Sequence, residues 1–385
     1  MGKIVLFVMA ACIAFSALSC RGDDDTVFRI GAIFPLSGPQ AFFGRESLDG
    51  GLLAMEEINA NGGLLGRQLV LLYEDDENRP ELTINAFSRL ATRERVNIIF
   101  GSSTSAATMA ITERAQASRI LVMTPSATNI NVTKAGDFIF RACFIDPFQG
   151  VVGADFAFYD LDLRRAAVLF DAGADYNRGL AETFRDRFIE LGGEIVAWEA
   201  YMTGAMDFNA QITRIRATAP ELVFLPNFMN DVAIQATQLR EQGVEAVLLG
   251  GDGWDGLVRL MYDGGAGDEI VGGFWSSAFA VDTPDPRGMA FVQAFQNRFA
   301  RPASQFAALG YDSVMMLAAA IEAAGSFEVT AIRDALMEID EYLVTGRIRF
   351  DEYRNPIKPA VILEVVRLPD GRLANVYRTT VNPVY

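Results

Sequence analysis

Along residues 27–124 short apolar runs alternate with longer stretches whose apolar residues recur every three or four positions. FRIGAIF (28–34), LVLLY (69–73), NIIF (97–100) and ILVMT (120–124) read as strands, buried and rich in β-branched residues. Between them Leu48, Leu52, Met55 and Ile58 mark one helical face, Ala86, Phe87 and Leu90 a second, and residues 106–117 a third helix. The rhythm restarts after Arg141: a helix through Phe148, Val152 and Phe156, AAVLFD, a helix over 177–191, EIVAWEAY, a helix through Phe208, Ile212 and Ile215, LVFLP, another helix, and AVLLG. Strand–helix alternation is the mark of a parallel sheet covered on both faces, and two successive sets predict two α/β lobes. After GGFWSSAF the chain returns to long helices, notably 305–324. It ends in GRIRFDEYRNPIKP and VILEVVRLPDGRLANVYR, which read as strands with a Pro-Asp-Gly turn.

In open α/β sheets ligands sit beyond the carboxyl ends of the strands, where helix N-termini offer backbone N–H groups. That directs attention to the loops FPLSGPQAFFG, GSSTSAAT, TPSATN, DAGADY, PNFMND and GGDGWDG. Taken singly each residue has an ordinary role. Ser105 and Thr128 suit helix capping, Phe43 and Phe228 suit a core, Tyr176 opens a helix, and Asp252 suits a turn among glycines. Gathered at one end of the sheets they form a different picture. Hydroxyls and amides at helix starts suit a carboxylate, one acid suits an ammonium, and three aromatics suit an apolar side chain, which together describe a zwitterionic amino acid.

Composition narrows the chemistry further. The 385 residues carry a net charge of −16, which argues against a nucleic-acid partner, and contain no histidine, which removes His-based triads and His metal sites. No cofactor or metal is expected. The acidic run EDDEN lacks the central glycine and closing glutamate of a calcium loop and reads as a solvated strand end. Cys143 reads as a small buried residue near the lobe boundary.

Residues 1–19 read as an export signal, one lysine followed by an uncharged apolar run. Ala-Leu-Ser-Cys resembles a bacterial lipobox, which would make Cys20 the lipidated first residue of a mature chain tethered by residues 20–26; the alternative is a plain secretory signal with an unmodified cysteine. Cleavage would remove Lys3 and no acid, leaving the mature chain more acidic still, with Cys143 its remaining cysteine and no disulfide framework. No later segment reads as apolar enough to span a membrane, so attachment is expected through the lipid anchor only.

The stretches IGAIFPLSGPQAFFG, EEINANGGLLGRQL, YEDDENRP, FGSSTS, TPSATN, DYNRGL, DFNAQITRIRATAPELVF, YDSVMMLAAAIEAAGS and TGRIRFDE, in this order from about Arg29 to about Arg378, resemble the periplasmic leucine/isoleucine/valine-binding proteins. These are the substrate-binding components of branched-chain amino acid ABC transporters. The resemblance implies a type I periplasmic binding protein fold: two three-layer α/β/α lobes with parallel-rich sheets, joined by a three-strand hinge with crossings near Ile145, Ala278 and Ile357. The lobes would comprise 27–145 plus 279–356, and 146–278 plus 357–385. It implies a ligand carboxylate on Ser105 and Thr128, in the loop Ser126-Ala127-Thr128, with the Ser126 carbonyl and Asp252 on the ammonium. Tyr176 and Phe228 would close over the ligand from the second lobe, and Phe43 would line the first. Many members have tyrosine where Phe43 and Phe228 stand and glutamate where Asp252 stands, so side-chain preference stays open. A disulfide common in the family is replaced here by Glu77 and Thr104 at the approximate positions.

The function this implies is that of an exported, membrane-anchored and monomeric binding component, at the periplasm or cell surface, delivering an amino acid to an ABC permease and ATPase. Three rivals stand beside it: a sensor of the same fold, a binder of an amide or aromatic carboxylate, and a small-amide hydrolase, for which no nucleophile with a base is found.

Overall fold

The computed structural model describes residues 26–383; the signal, Cys20 and most of the tether lie outside the described residues. The first sheet is built from β1 (Val27–Phe34), β2 (Gln68–Asp75), β3 (Ile98–Gly101), β4 (Leu121–Thr124) and β5 (Ile139–Arg141), all parallel, in the order β2-β1-β3-β4-β5. Helices α1 (Ala41–Ala60), α2 (Pro80–Thr92) and α3 (Ser105–Ser118) connect them. The second sheet follows from α4 (Asp146–Asp155), β6 (Arg165–Asp171), α5 (Asp175–Glu190), β7 (Glu194–Tyr201), α6 (Asn209–Ala217), β8 (Leu222–Leu225), α7 (Met229–Glu241), β9 (Val247–Gly250), α8 (Leu257–Asp263) and β10 (Phe274–Ser277). Here β10-β9-β8-β6-β7 run parallel, because each strand is joined to the next by a helical crossover.

Then come α9 (Pro286–Phe299), α10 (Gln305–Ala324), α11 (Val329–Met337) and a small hairpin of β11 (Glu341–Leu343) with β12 (Gly346–Ile348). Most of GRIRFDEYRNPIKP is therefore not strand: Asp351 instead accepts the N–H groups of Tyr353 and Asn355, tying that segment into a loop. The chain returns to the second sheet with β13 (Ala360–Arg367) and β14 (Leu373–Val381), an antiparallel pair added to its β10 edge. Segments 142–145, 278–285 and 349–359 carry the chain between the two halves.

One helix departs from the sequence expectation about membranes. By length and composition α10 is apolar enough to cross one, yet most of it is buried inside the protein. Ser304 caps it by accepting the Ala307 N–H, and Gly325 ends it with φ 58°. It lies directly on α1: a Cβ at Gly50 would sit 1.9 Å from the Ala307 carbonyl oxygen, and one at Gly310 would sit 2.1 Å from that of Ser47. The backbones touch where glycine leaves room, so α1 and α10 pack as one block behind the first sheet.

Candidate functional site

The start of α3 and the loop after β4 supply the hydroxyl side of the site. Strand β3 ends at Gly101, and Ser102, Ser103 and Thr104 lead into α3, whose first residue is Ser105. Asp76 fixes this turn from behind. It is wholly buried and accepts hydrogen bonds from the Ser102 hydroxyl at 2.8 Å, the Thr83 hydroxyl at 3.1 Å and the Asn78 N–H at 2.9 Å. The acidic run is thus not simply solvated as its composition suggests. Its second aspartate is a structural hub, while Asp75 accepts the N–H of Leu36 and the hydroxyl of Ser37. The Thr104 hydroxyl bonds Asn78, a polar contact that ties the acidic loop to the residues leading into α3.

Ser105 Oγ accepts the Asn129 N–H at 3.1 Å and keeps its own hydrogen to donate. Ser126 turns its hydroxyl inward onto the Ser103 carbonyl at 2.8 Å. Thr128 Oγ1 is buried and makes no hydrogen bond. Ala127, expected beside them, does not line the site. Its methyl lies in the first lobe's core with Ile99 and Ile111, its carbonyl accepts from Arg141 at 2.6 Å, and its N–H donates to Thr124.

The acidic side comes from GGDGWDG. Asp252 Oδ1 accepts from the Tyr176 hydroxyl at 2.7 Å and from Gln149 Nε2 at 3.1 Å, while Gln149 Oε1 accepts the Asp252 N–H at 2.6 Å. Neither side-chain bond uses Oδ2. Two of the glycines are there for closeness: a Cβ at Gly251 would meet Gln149 Oε1 at 2.5 Å, and one at Gly253 would meet the Asn227 carbonyl at 2.8 Å and the Tyr176 oxygen at 3.1 Å. Burial pushes the Asp252 carboxyl up to about 6 even though Tyr176 and Gln149 favour its anion, so it is mostly ionised at neutral pH but poorly solvated. Such a group is matched by a cation.

Phe43, Phe228, Tyr176 and Phe306 supply the apolar wall. Tyr176 stacks on Phe228 with centroids 5.1 Å apart, Phe43 lies 5.4 Å from Phe228, and Phe306 lies 4.7 Å from Phe43. Phe306, at the start of α10, was not singled out by the sequence; its cue is the Ser304 cap, which places the first turn of that helix at the cleft. Ser105, Ser126, Thr128, Tyr176, Phe43, Phe228 and Asp252 thus converge on one cavity with Ser103, Thr104, Gly253 and Phe306. About 280 Å³ of space, part of it open to solvent, lies among them.

The cavity sits between the two sheets, and protein bonds cross it at its edges. Asn230 Nδ2 donates to the Pro39 carbonyl at 2.7 Å, and Gln305 Nε2 donates to the Asp252 carbonyl at 2.9 Å. Gln305 also donates its N–H to Asp255 at 2.8 Å.

The family of periplasmic binding proteins matches residues 27–372. The chain belongs to that family. The Leu/Ile/Val-binding protein BraC3 of Rhizobium johnstonii is 30% identical over 355 residues, covering 91% of this chain and 93% of its own. Among solved structures, the leucine-binding protein LivK of Thermotoga maritima superimposes with a TM-score of 0.86 at 30% identity, over 92% of this chain and 99% of that one. The branched-chain amino acid transporter substrate-binding protein LivJ of Streptococcus pneumoniae, solved with isoleucine, gives 0.84 at 29% identity, over 93% and 100%. The family and these relatives are binding proteins, and the fold is that of type I periplasmic binding proteins: α/β lobes with parallel-rich sheets.

Proposed function

We propose that this binding protein is the extracytoplasmic substrate-binding component of an ABC importer and takes up an amino acid with an aliphatic side chain. The observation that carries the reading is the opposition, across one aromatic cavity, of a hydroxyl-bearing helix start and a buried carboxylate. The ligand carboxylate is held by Ser105 at the start of α3, where N–H groups and the helix dipole favour an anion, and by Thr128 in the loop after β4. The ammonium sits at Asp252 and the Ser126 carbonyl. The side chain packs among Phe43, Phe228, Phe306 and Tyr176, a wall without a free hydroxyl because that of Tyr176 is held by Asp252. An aromatic carboxylate without an ammonium would leave Asp252 buried and unpaired, at considerable cost.

The lobes in this reading are 27–145 with 279–356 and 146–278 with 357–385, hinged at the three crossings. Ligand meets the first lobe, and closure brings Tyr176, Phe228 and Asp252 over it for the permease and its ATPase to recognise. The protein acts as a monomer anchored by lipid on Cys20; Cys20→Ala protein is expected to lose detergent partitioning.

Mass spectrometry of ligand retained through mild purification, followed by calorimetry with an amino-acid panel, tests the reading. An aliphatic amino acid is the expected occupant. A bound dicarboxylate or benzoate-like acid would overturn it.

A further inference from the structure

Behind Thr128 lies a second buried carboxyl group that the binding scheme leaves unused. Asp146 opens α4, and its N–H donates to the Thr128 carbonyl at 3.0 Å. It is 2% exposed, and neither Oδ1 nor Oδ2 makes a hydrogen bond; the Thr128 hydroxyl beside it has no partner either. The groups that face Asp146 come from four directions. Arg141 of β5 spends its two terminal nitrogens on the carbonyls of Ala127 and Asn129, at 2.6 and 2.9 Å. Cys143 follows it, Tyr176 approaches on α5, and Asp252 stands beyond β9, all close enough to interact electrostatically with Asp146.

Burial, with the Asp252 charge adding to it, pushes the Asp146 carboxyl up to about 8, although the neighbouring Thr128 hydroxyl and Arg141 both favour its anion. At neutral pH it therefore carries a proton, and it stands next to a hydroxyl oxygen that has none donated to it.

We propose that Asp146 is a positioning residue for the ligand's carboxylate: its protonated carboxyl donates to Thr128 Oγ1, which commits the single hydrogen of Thr128 to the ligand. A hydroxyl has one hydrogen to give. With Asp146 protonated, that hydrogen points into the cavity as a donor. With Asp146 ionised, the hydroxyl turns round to donate to Asp146, presents lone pairs to the ligand carboxylate, and stands in front of an added negative charge. The inference rests on the amino-acid reading of the site and goes beyond it by making carboxylate recognition depend on a proton held one layer back.

The sign follows directly. Binding is strong while Asp146 is protonated and weakens as pH rises through about 8. If only the protonated form binds well, the share of binding-competent protein falls about tenfold between pH 7 and pH 9.

The test is isothermal calorimetry with leucine on wild type, Asp146→Asn and Thr128→Val at pH 7 and pH 9. Titration of the ligand's own ammonium acts on all three proteins alike, so the pH 7 to pH 9 affinity ratio of each variant is compared with that of wild type. Asp146→Asn keeps a donor that cannot ionise. It is expected to bind a few-fold more weakly at pH 7, yet to show a ratio about tenfold smaller than wild type. Thr128→Val, lacking the hydroxyl through which the effect runs, is expected to bind weakly at both pH values and to lose the extra pH dependence as well. A wild-type ratio equal to that of Asp146→Asn would overturn the assignment, as would a Thr128→Val protein that keeps the wild-type pH dependence. Wild type that binds no amino acid at either pH would instead reject the functional reading on which the assignment stands.

Discussion

The Tyr176 hydroxyl donates to Asp252 Oδ1 at 2.7 Å, and the same phenolic oxygen accepts the Gly253 N–H at 3.1 Å. The tyrosine thus holds both the side chain and the loop of the acidic corner. Tyr176→Phe removes a bond to a charged group, worth about 1.5–3 kcal/mol of folding stability. It also withdraws support from the anion, so the Asp252 carboxyl moves further above about 6. Chemical denaturation and ligand titration from pH 5 to pH 7.5 are expected to show lower stability and a binding midpoint shifted upward in pH.

Removing the charge itself has a larger effect on ligand. Asp252→Ala leaves a desolvated ammonium without a partner, a loss of about 3–5 kcal/mol, or two to more than three decades of affinity at about 1.4 kcal/mol per decade. The corresponding 2-keto acids, which lack the ammonium, are expected to bind wild type far more weakly than the amino acids but to discriminate little against Asp252→Ala. Calorimetry on the four combinations checks this. A change of less than threefold in amino-acid affinity would remove Asp252 from the site.

Acid should weaken binding of the wild type. In the proposed site the ligand ammonium pairs with ionised Asp252, whose carboxyl is raised in the free protein to about 6, so full affinity is expected above that pH and is lost as pH falls through it. Below the midpoint the decline approaches tenfold per pH unit. Fluorescence or calorimetric titration between pH 4.5 and pH 7 measures the slope.

Asp76→Ala tests the support beneath the serine turn. Ser102 and the Asn78 N–H lose a buried acceptor, whereas Thr83 retains the Arg79 carbonyl at 3.0 Å. With about 1–3 kcal/mol for each of the two groups left unsatisfied, a stability loss of roughly 2–6 kcal/mol is expected. Ligand affinity should fall with it because Ser103, Thr104 and Ser105 follow directly. Urea melts with and without ligand separate the two effects.

Gly310→Ala tests the contact between α1 and α10. The new methyl would lie 2.1 Å from the Ser47 carbonyl oxygen, which belongs to backbone and cannot turn aside. Overpacking of this kind costs about 1–3 kcal/mol, occasionally more, and a value at the upper end is expected by thermal unfolding.

The strand–helix rhythm was legible because parallel strands buried on both faces read as short apolar runs, and the crossover helices have an apolar period of their own. So were the loop residues Ser105, Thr128, Phe228 and Asp252, which stand where strands end and a parallel sheet places its ligands. Gln149, Asp146 and Phe306 were not legible. They reach the cavity region from helices, where a glutamine or aspartate reads as solvent-facing and a phenylalanine reads as core. Asp76 was misread for the related reason that a run of acids carries no sign of the hydroxyls waiting for it elsewhere in the chain. The three-residue strands β5, β11 and β12 are shorter than any period can mark.

Gln305 is bonded three ways, to Asp252 and Asp255 as donor and to the Ala278 N–H as acceptor at 2.8 Å, and it is not among the residues found to line the cavity. In the closure proposed above, they and the Asn230–Pro39 bond would act as a latch indifferent to what lies behind it. A latch of that kind lengthens the residence of every occupant by the same factor, because it must open before any of them leaves. Retention and choice are therefore carried by different residues. Substitutions at Gln305 or Asn230 should slow or hasten release of all ligands in parallel, while their ranking stays with the aromatic wall and the acidic corner.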